Sequence, residues 1–229
     1  MPAETPNPQV ELSTRRFTAA VFDLDETMID LEPQHTAASE ALCRENGSDY
    51  GAMPESFRRG SGRRVIDDVR EMREHFGWQA PLEELFARRQ EHFDAACRET
   101  DLAPMRGVRE TVARLRELGL TLAITSSSVA ASIAAILERL ELRDAFALIV
   151  DGSEVVNGKP DPEAYLLTAR KLGVAPADCV VFEDSHVGVV AAKRAGMYCV
   201  AVRNPRAQTR QDLSAADVVV ESMSDVTLS

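Results

Sequence analysis

Two aspartates, Asp23 and Asp25, stand two residues apart where the apolar run Ala19-Ala20-Val21-Phe22 gives way to polar residues. Carboxylates this close repel one another, and the arrangement is costly unless a cation sits among them. Magnesium suits such a site, because it takes a few hard oxygen ligands and keeps its remaining waters. One carboxylate can then act as a nucleophile and its neighbour as a general acid and base. A second acidic pair, Glu183 and Asp184, follows the apolar run Cys179–Phe182. A third run, Leu120–Thr125, ends in the hydroxyls Ser126, Ser127 and Ser128. Between these last two, Gly158-Lys159-Pro160-Asp161-Pro162-Glu163 sets a lysine in a loop stiffened by prolines.

These residues need a scaffold that brings strand ends together. Apolar runs of strand length recur at 18–22, 120–125, 147–150, 179–182, 198–202 and 218–220. Between them, helical spacing of apolar residues predicts helices over 108–118, 129–140, 162–172 and 186–195, with Gly119, Gly173 and Gly196 placed to close three of them. This alternation predicts an α/β fold: a doubly wound, Rossmann-like parallel sheet with helices on both faces and its ligand site beyond the carboxyl ends of the strands. One interval breaks the pattern. From Leu31 to Ala103 there is no convincing strand, and helices are expected around 33–45, 63–75, 81–88 and 90–100. The expected organisation is a mobile tail over 1–13, a catalytic core over 14–30 and 104–229, and an all-helical insert over 31–103, with hinges near Leu31 and Ala103–Gly107.

Taken in order, the four motifs resemble those of the haloacid dehalogenase-like hydrolases, in the phosphatase and β-phosphoglucomutase-like branch with a helical cap. The resemblance covers nearly the whole chain from Phe17 onward. It implies that Asp23 is the nucleophile and a metal ligand, and that Asp25 is the general acid and base, its backbone carbonyl binding the metal. The dehalogenases of the fold lack this second aspartate, which implies phosphoryl transfer here. Ser126 takes the position of the phosphate-binding hydroxyl, with Ser127 as a backbone N–H donor; Thr125, Ser127 and Ser128 also stand where a hydroxyl can cap the next helix. Lys159 is implied as the fixed positive charge on the phosphoryl oxygens. Asp184 is implied as a direct Mg²⁺ ligand, and Glu183 as a direct or water-bridged one.

In the cap, His35, Arg63 and Arg89 match substrate-facing positions of the branch. Arg63 lies in Arg59-Gly60-Ser61-Gly62-Arg63, where a β-phosphoglucomutase holds a distal phosphate, and Arg89 stands in place of a cap lysine. Each also has the reading of a solvated helix residue in an Arg-rich insert. Two departures stand out: Glu26 replaces the usual glycine, pointing to solvent, to the metal shell or to the cap, and Leu31 replaces the hydroxyl that the mutases carry after Asp30. The implied function is a magnesium-dependent phosphatase of a small phosphorylated metabolite, a sugar or polyol phosphate, acting through an aspartyl-phosphate; the alternative is a β-phosphoglucomutase-like phosphomutase.

Composition bounds the partners. The chain of 229 residues carries a net charge of −11, which argues against nonspecific binding to nucleic acid or anionic membranes. No run is apolar enough to span a membrane, and the N-terminal residues lack the apolar core of a secretory signal. Cys43, Cys97, Cys179 and Cys199 show no metal-ligand spacing and read as reduced thiols. The expected setting is the cytoplasm, as a monomer or dimer.

Overall fold

The computed structural model describes residues 10–14, 16–58, 62–204 and 211–229. In chain order the core begins with strands β1 (Val10–Leu12) and β2 (Ala19–Phe22). Helices α1 (Glu32–Glu45), α2 (Glu55–Arg58), α3 (Val65–Phe76) and α4 (Leu82–Glu99) follow as a block. The chain then alternates: α5 (Val108–Glu117), β3 (Thr121–Thr125), α6 (Ala130–Arg139), β4 (Leu148–Val150), α7 (Glu163–Leu172), β5 (Cys179–Glu183), α8 (His186–Arg194) and β6 (Tyr198–Val202). Strands β7 (Val218–Val220) and β8 (Val226–Leu228) complete it.

Six strands form one parallel sheet in the order β4-β3-β2-β5-β6-β7. β2, the first of them in sequence, lies inside the sheet, paired with β3 on one side and β5 on the other. The sheet therefore reverses its winding at β2, and ligands of open α/β sheets bind at such a reversal. Side chains alternate across the pleat. Phe22, Leu122, Ile124 and Phe182 face Val112, Leu115, Ile133 and Ile136 of α5 and α6. Val21, Val181 and Cys199 face Tyr165, Ala169, Val189 and Ala192 of α7 and α8. Both faces are covered, which is why these strands are almost wholly apolar.

The helical block has a small core of its own, built from Leu42, Cys43, Met53, Val65, Val69, Met72, Trp78 and Leu85. The sequence pattern predicts a break near residue 89, yet α4 is continuous. The break in apolar periodicity is Arg89, which is itself buried on the stripe Leu85–Arg89–Phe93–Cys97. A polar residue on the inner face mimics a helix end in the pattern, and no glycine or proline enforces one.

A second correction concerns the tail. Residues 10–12 pair in parallel with 226–228, Val10 opposite Val226 and Leu12 opposite Leu228. Neither three-residue strand is long enough to show a period, so the sequence does not announce the pair. The remainder of the expected tail, residues 1–9, lies outside the described residues, as do Arg59, Gly60 and Ser61 of the cap motif.

Gly107 joins the helical block to α5. It has φ 84°, and a Cβ there would overlap the backbone of Met223 and Ser224. Gly107→Ala is expected to destabilise the protein by at least about 2 kcal/mol, since strain and overlap with backbone add. A urea midpoint unchanged from wild type would contradict this.

Candidate active site

The sheet delivers the acidic groups to one place. Asp23 follows β2 and its N–H is held by the Phe182 carbonyl of β5, so the two acidic pairs emerge side by side. Carboxylate oxygens of Asp23, Glu183 and Asp184 all lie within 4.8 Å of one another, and all three residues are buried. Lys159 is the cation among them. Its Nζ donates to Asp23 Oδ1 at 2.5 Å and to Glu183 Oε1 at 2.6 Å. Burial alone would lower the Lys159 pKa, but the two carboxylates outweigh it and hold the ammonium charged.

Glu183 is fully engaged by the protein. Its Oε1 also accepts from Tyr165 at 2.9 Å, and its Oε2 accepts from the Asp184 and Ser185 N–H groups and the Ser185 hydroxyl. Burial pushes its pKa up, and Lys159 with these donors brings it below the ordinary value. Gly188 is what makes room: a Cβ there would overlap the Glu183 carboxylate. Asp184 accepts from Thr27 at 2.8 Å. Burial, then the neighbouring carboxylates, raise Asp184 well above the ordinary range; Asp23 is raised by burial and by Glu183 and Asp25 against the pull of Lys159. Buried acids that resist ionisation beside one another are the donor set a hard divalent cation stabilises. Asp23 and Asp184 fit that role as direct ligands. Glu183, with both oxygens committed to protein donors, fits a buttress that orients Lys159.

Asp25 has a different environment. Its Oδ2 accepts from Ser126 at 3.1 Å and Ser128 at 2.9 Å, and its Oδ1 pairs with His35 Nε2 at 3.2 Å. Burial raises its pKa, but His35 and the two hydroxyls outweigh this and lower it overall. Arg89 Nη2 donates to His35 Nδ1 at 2.9 Å. Arginine can only donate, so Nδ1 is the acceptor and the His35 proton sits on Nε2, aimed at Asp25. Burial, with Arg89 beside it, lowers the His35 pKa and keeps the ring neutral. Arg89 Nε and Nη1 are buried with no partner among the described residues.

The structure thus brings together Asp23, Asp25, Ser126, Lys159, Glu183, Asp184, His35 and Arg89. The hydroxyl of Ser127 instead crosses to the cap, donating to the Gly62 carbonyl at 2.9 Å. Arg63 is held by cap acids, Asp68 at 3.2 Å and Glu71 at 2.7 Å. Thr125 turns away to Thr168 at 2.6 Å. Ser128 is not a helix cap: its hydroxyl holds Asp25. The run of three serines signals a hydroxyl site, but which of them meets Asp25 depends on the turn after β3. Tyr165 and Arg64 carry no sequence signal as site residues.

The family model for haloacid dehalogenase-like hydrolases matches residues 17–196. The chain belongs to that family. It is 31% identical over 216 residues to hexitol phosphatase B of Escherichia coli strain K12, covering 93% of this chain and 96% of the relative. It is 39% identical over 128 residues to the β-phosphoglucomutase of Bacillus subtilis strain 168, covering 56% of this chain and 53% of that one. A crystal structure of CbbY from Rhodobacter sphaeroides with phosphate superposes with a TM-score of 0.81 at 24% identity, over 90% of this chain and 95% of that one, a likeness of fold. The hydrolase is therefore an enzyme whose parallel sheet and helical cap are those of its family. Among the described residues, no helix is long and apolar enough to cross a membrane. All four cysteines are unpaired thiols, as expected.

Glu26 is the feature most at odds with its surroundings. Its φ of 63° is a left-handed conformation that costs a side chain about 1 kcal/mol or more. Burial, then Glu32, Asp25 and Asp30, push its pKa from the ordinary 4.5 up to about 7. With the folded pKa above the unfolded one, stability falls as pH rises between those values and stays low above them. Glu26→Gln keeps the backbone strain and removes only the charge. In chelator, its melting temperature is expected to exceed wild type by about 2–4 °C at pH 8, with a smaller gap at pH 5.5. A gap that does not depend on pH would contradict this.

Proposed function

We propose that this hydrolase is a magnesium-dependent phosphatase of a small phosphorylated metabolite, a sugar or polyol phosphate, acting through an aspartyl-phosphate on Asp23. The observation that carries this is the contrast between two aspartates two residues apart. Asp23 lies against Lys159 and the acidic cluster, while Asp25 is held by two hydroxyls and a neutral imidazole. This contrast supports Asp23 as the group that meets phosphorus and Asp25 as the one that moves protons.

When bound by Asp23 and Asp184, with the Asp25 carbonyl as the family's third protein ligand, Mg²⁺ supplies charge neutralisation at the phosphoryl oxygens. Lys159 adds a second, fixed positive charge. Asp23 attacks phosphorus, the ester P–O bond breaks, and the leaving oxygen takes the electron pair and the proton carried by Asp25. Asp25 then takes a proton from water, the water oxygen attacks phosphorus, and the acyl phosphate opens to phosphate and free Asp23. The His35, Ser126 and Ser128 donors lower the Asp25 pKa against the effect of burial, which favours the basic form that the second half needs. His35, positioned by Arg89, orients it.

The same geometry favours hydrolysis over phosphomutase action. A mutase must hold a second phosphate at the cap, and Arg63 is the residue placed for it. Asp68 and Glu71 already balance its charge. Arg89 Nε and Nη1, buried with no partner among the described residues, suit the hydroxyls of a neutral distal end. The hexitol phosphatase relative agrees with a polyol or sugar substrate.

With Mg²⁺, the protein is expected to hydrolyse p-nitrophenyl phosphate and phosphorylated sugars or hexitols, and to stop in excess chelator. Asp23→Asn is expected to lower kcat at least about a thousandfold while the fold is kept, as for loss of a nucleophile. Full turnover after exhaustive dialysis against chelator, or a loss of only a few-fold in the variant, would defeat the mechanism. Given β-glucose 1-phosphate with a trace of glucose 1,6-bisphosphate, free phosphate is expected to outpace glucose 6-phosphate. The reverse ratio would select the mutase.

A further inference from the structure

We propose that Arg64 is a positioning residue that couples closure of the cap to the placement of Lys159; the proposal rests on the phosphatase reading of the site for its kinetic part only. Arg64 stands at the start of α3, outside the acidic and hydroxyl groups described above. Its guanidinium is oriented by a two-pronged bond to Asp67, Nε to Oδ2 at 2.7 Å and Nη2 to Oδ1 at 3.0 Å. A fork held on two prongs has its third nitrogen aimed. That nitrogen, Nη1, leaves the cap altogether and donates to the Val155 carbonyl of the core at 2.9 Å.

Val155 lies in the loop 151–162 that carries Lys159. The Arg64 side chain also lies on Gly158, the residue directly before the lysine: a Cβ at 158 would stand 3.0 Å from Arg64 Cγ, 3.1 Å from Nε and 3.2 Å from Cδ. From beneath, Glu163 at the start of α7 holds the same loop. Its carboxylate accepts from the Val156 and Asn157 N–H groups, each at 2.9 Å, and from the Asn157 side chain at 3.0 Å. The loop is therefore gripped on one side by its own domain and on the other by the cap. Glu163 is present whether the cap is open or closed. Arg64 is present only when it is closed.

Neighbouring contacts mark this as the closing edge. Ser127 Oγ bonds the Gly62 carbonyl, and a Cβ at Gly62 would come within 2.6 Å of Ser185 Oγ and 2.8 Å of Val187 Cγ2. The segment Gly62–Arg64 thus touches all three loops that follow β3, β4 and β5. Among these, only the Arg64 contact bears on the loop carrying the catalytic cation. A lysine whose ammonium bridges Asp23 and Glu183 tolerates little displacement, because its worth depends on distance to the phosphoryl oxygens. Opening the cap releases the upper grip, and closing it over substrate sets Lys159 for transfer.

A merely structural clasp would act differently. It would add closure free energy uniformly, and its loss would raise KM while leaving kcat alone. The test uses Arg64→Met, which keeps most of the packing and removes the fork, and Gly158→Ala, which displaces Arg64 from the other side. Hydrogen exchange of the full-length protein with Mg²⁺ and orthovanadate is the first readout. The segment 155–161 is expected to exchange roughly tenfold faster in both variants, with 179–185 unchanged. Kinetics on p-nitrophenyl phosphate are the second: kcat is expected to fall roughly 10- to 100-fold with KM within about threefold. Unchanged exchange in 155–161, or a rise in KM with kcat retained, would overturn the coupling. Should the wild-type enzyme hydrolyse no phosphate monoester, the phosphatase reading fails by itself, and the exchange experiment still decides whether Arg64 holds the loop.

Discussion

Buried like charge is the constraint on which the rest of the molecule depends. Asp23, Glu183 and Asp184 lie together out of water, with one lysine among them. Removing even one charge from water is expensive, and a single ammonium cannot balance three carboxylates. Every neighbouring choice answers that imbalance. Tyr165 and the Asp184 and Ser185 N–H groups satisfy Glu183, Thr27 satisfies one oxygen of Asp184, and the three clustered carboxylates could hold a metal ion. The apolar floor below, Val21, Phe22, Val181 and Phe182, keeps the site from relaxing into solvent.

The sheet topology is the means to this end. Only where the winding reverses do two parallel strands offer their carboxyl ends to an open crevice instead of to a crossing helix. β2 is inserted between β3 and β5, so the first acidic pair in the sequence meets the last. The hydroxyls after β3 and the lysine loop after β4 close the other side. The cap adds what the sheet lacks: His35, held by Arg89, joins the core hydroxyls in lowering the Asp25 pKa.

Much of this is legible in the chain because the core leaves continuous apolar runs and the chemistry leaves motif-scale traces. The apolar runs at 198–202 and 218–220 coincide with β6 and β7 to the residue, and the acidic pairs announce their own strand ends. What stays hidden has a common physical cause: it depends on a contact between distant residues with no local pattern. The β1–β8 pair is three residues on each side. Arg89 reads by resemblance as a substrate-facing cap residue and by pattern as a solvated arginine or a helix break; its bond to His35 shows only when α1 lies beside α4. Ser127 reads as part of the phosphate cradle, and only the seated cap shows its hydroxyl turned to Gly62. Arg64 sits in a run of arginines whose distinction is made by one carbonyl some ninety residues away.

The helical block owns the chain's single tryptophan. Trp78 is buried in the cap's separate core, stacked on Phe76 at 5.3 Å between ring centroids and tied through its indole N–H to Ser48. Tryptophan emission from this enzyme therefore reports on the cap alone, while the catalytic sheet is silent at that wavelength. A melt followed by fluorescence and one followed by far-ultraviolet circular dichroism weigh different halves of the molecule. Any divergence between the two curves would measure how independently the lid comes apart from the floor it covers.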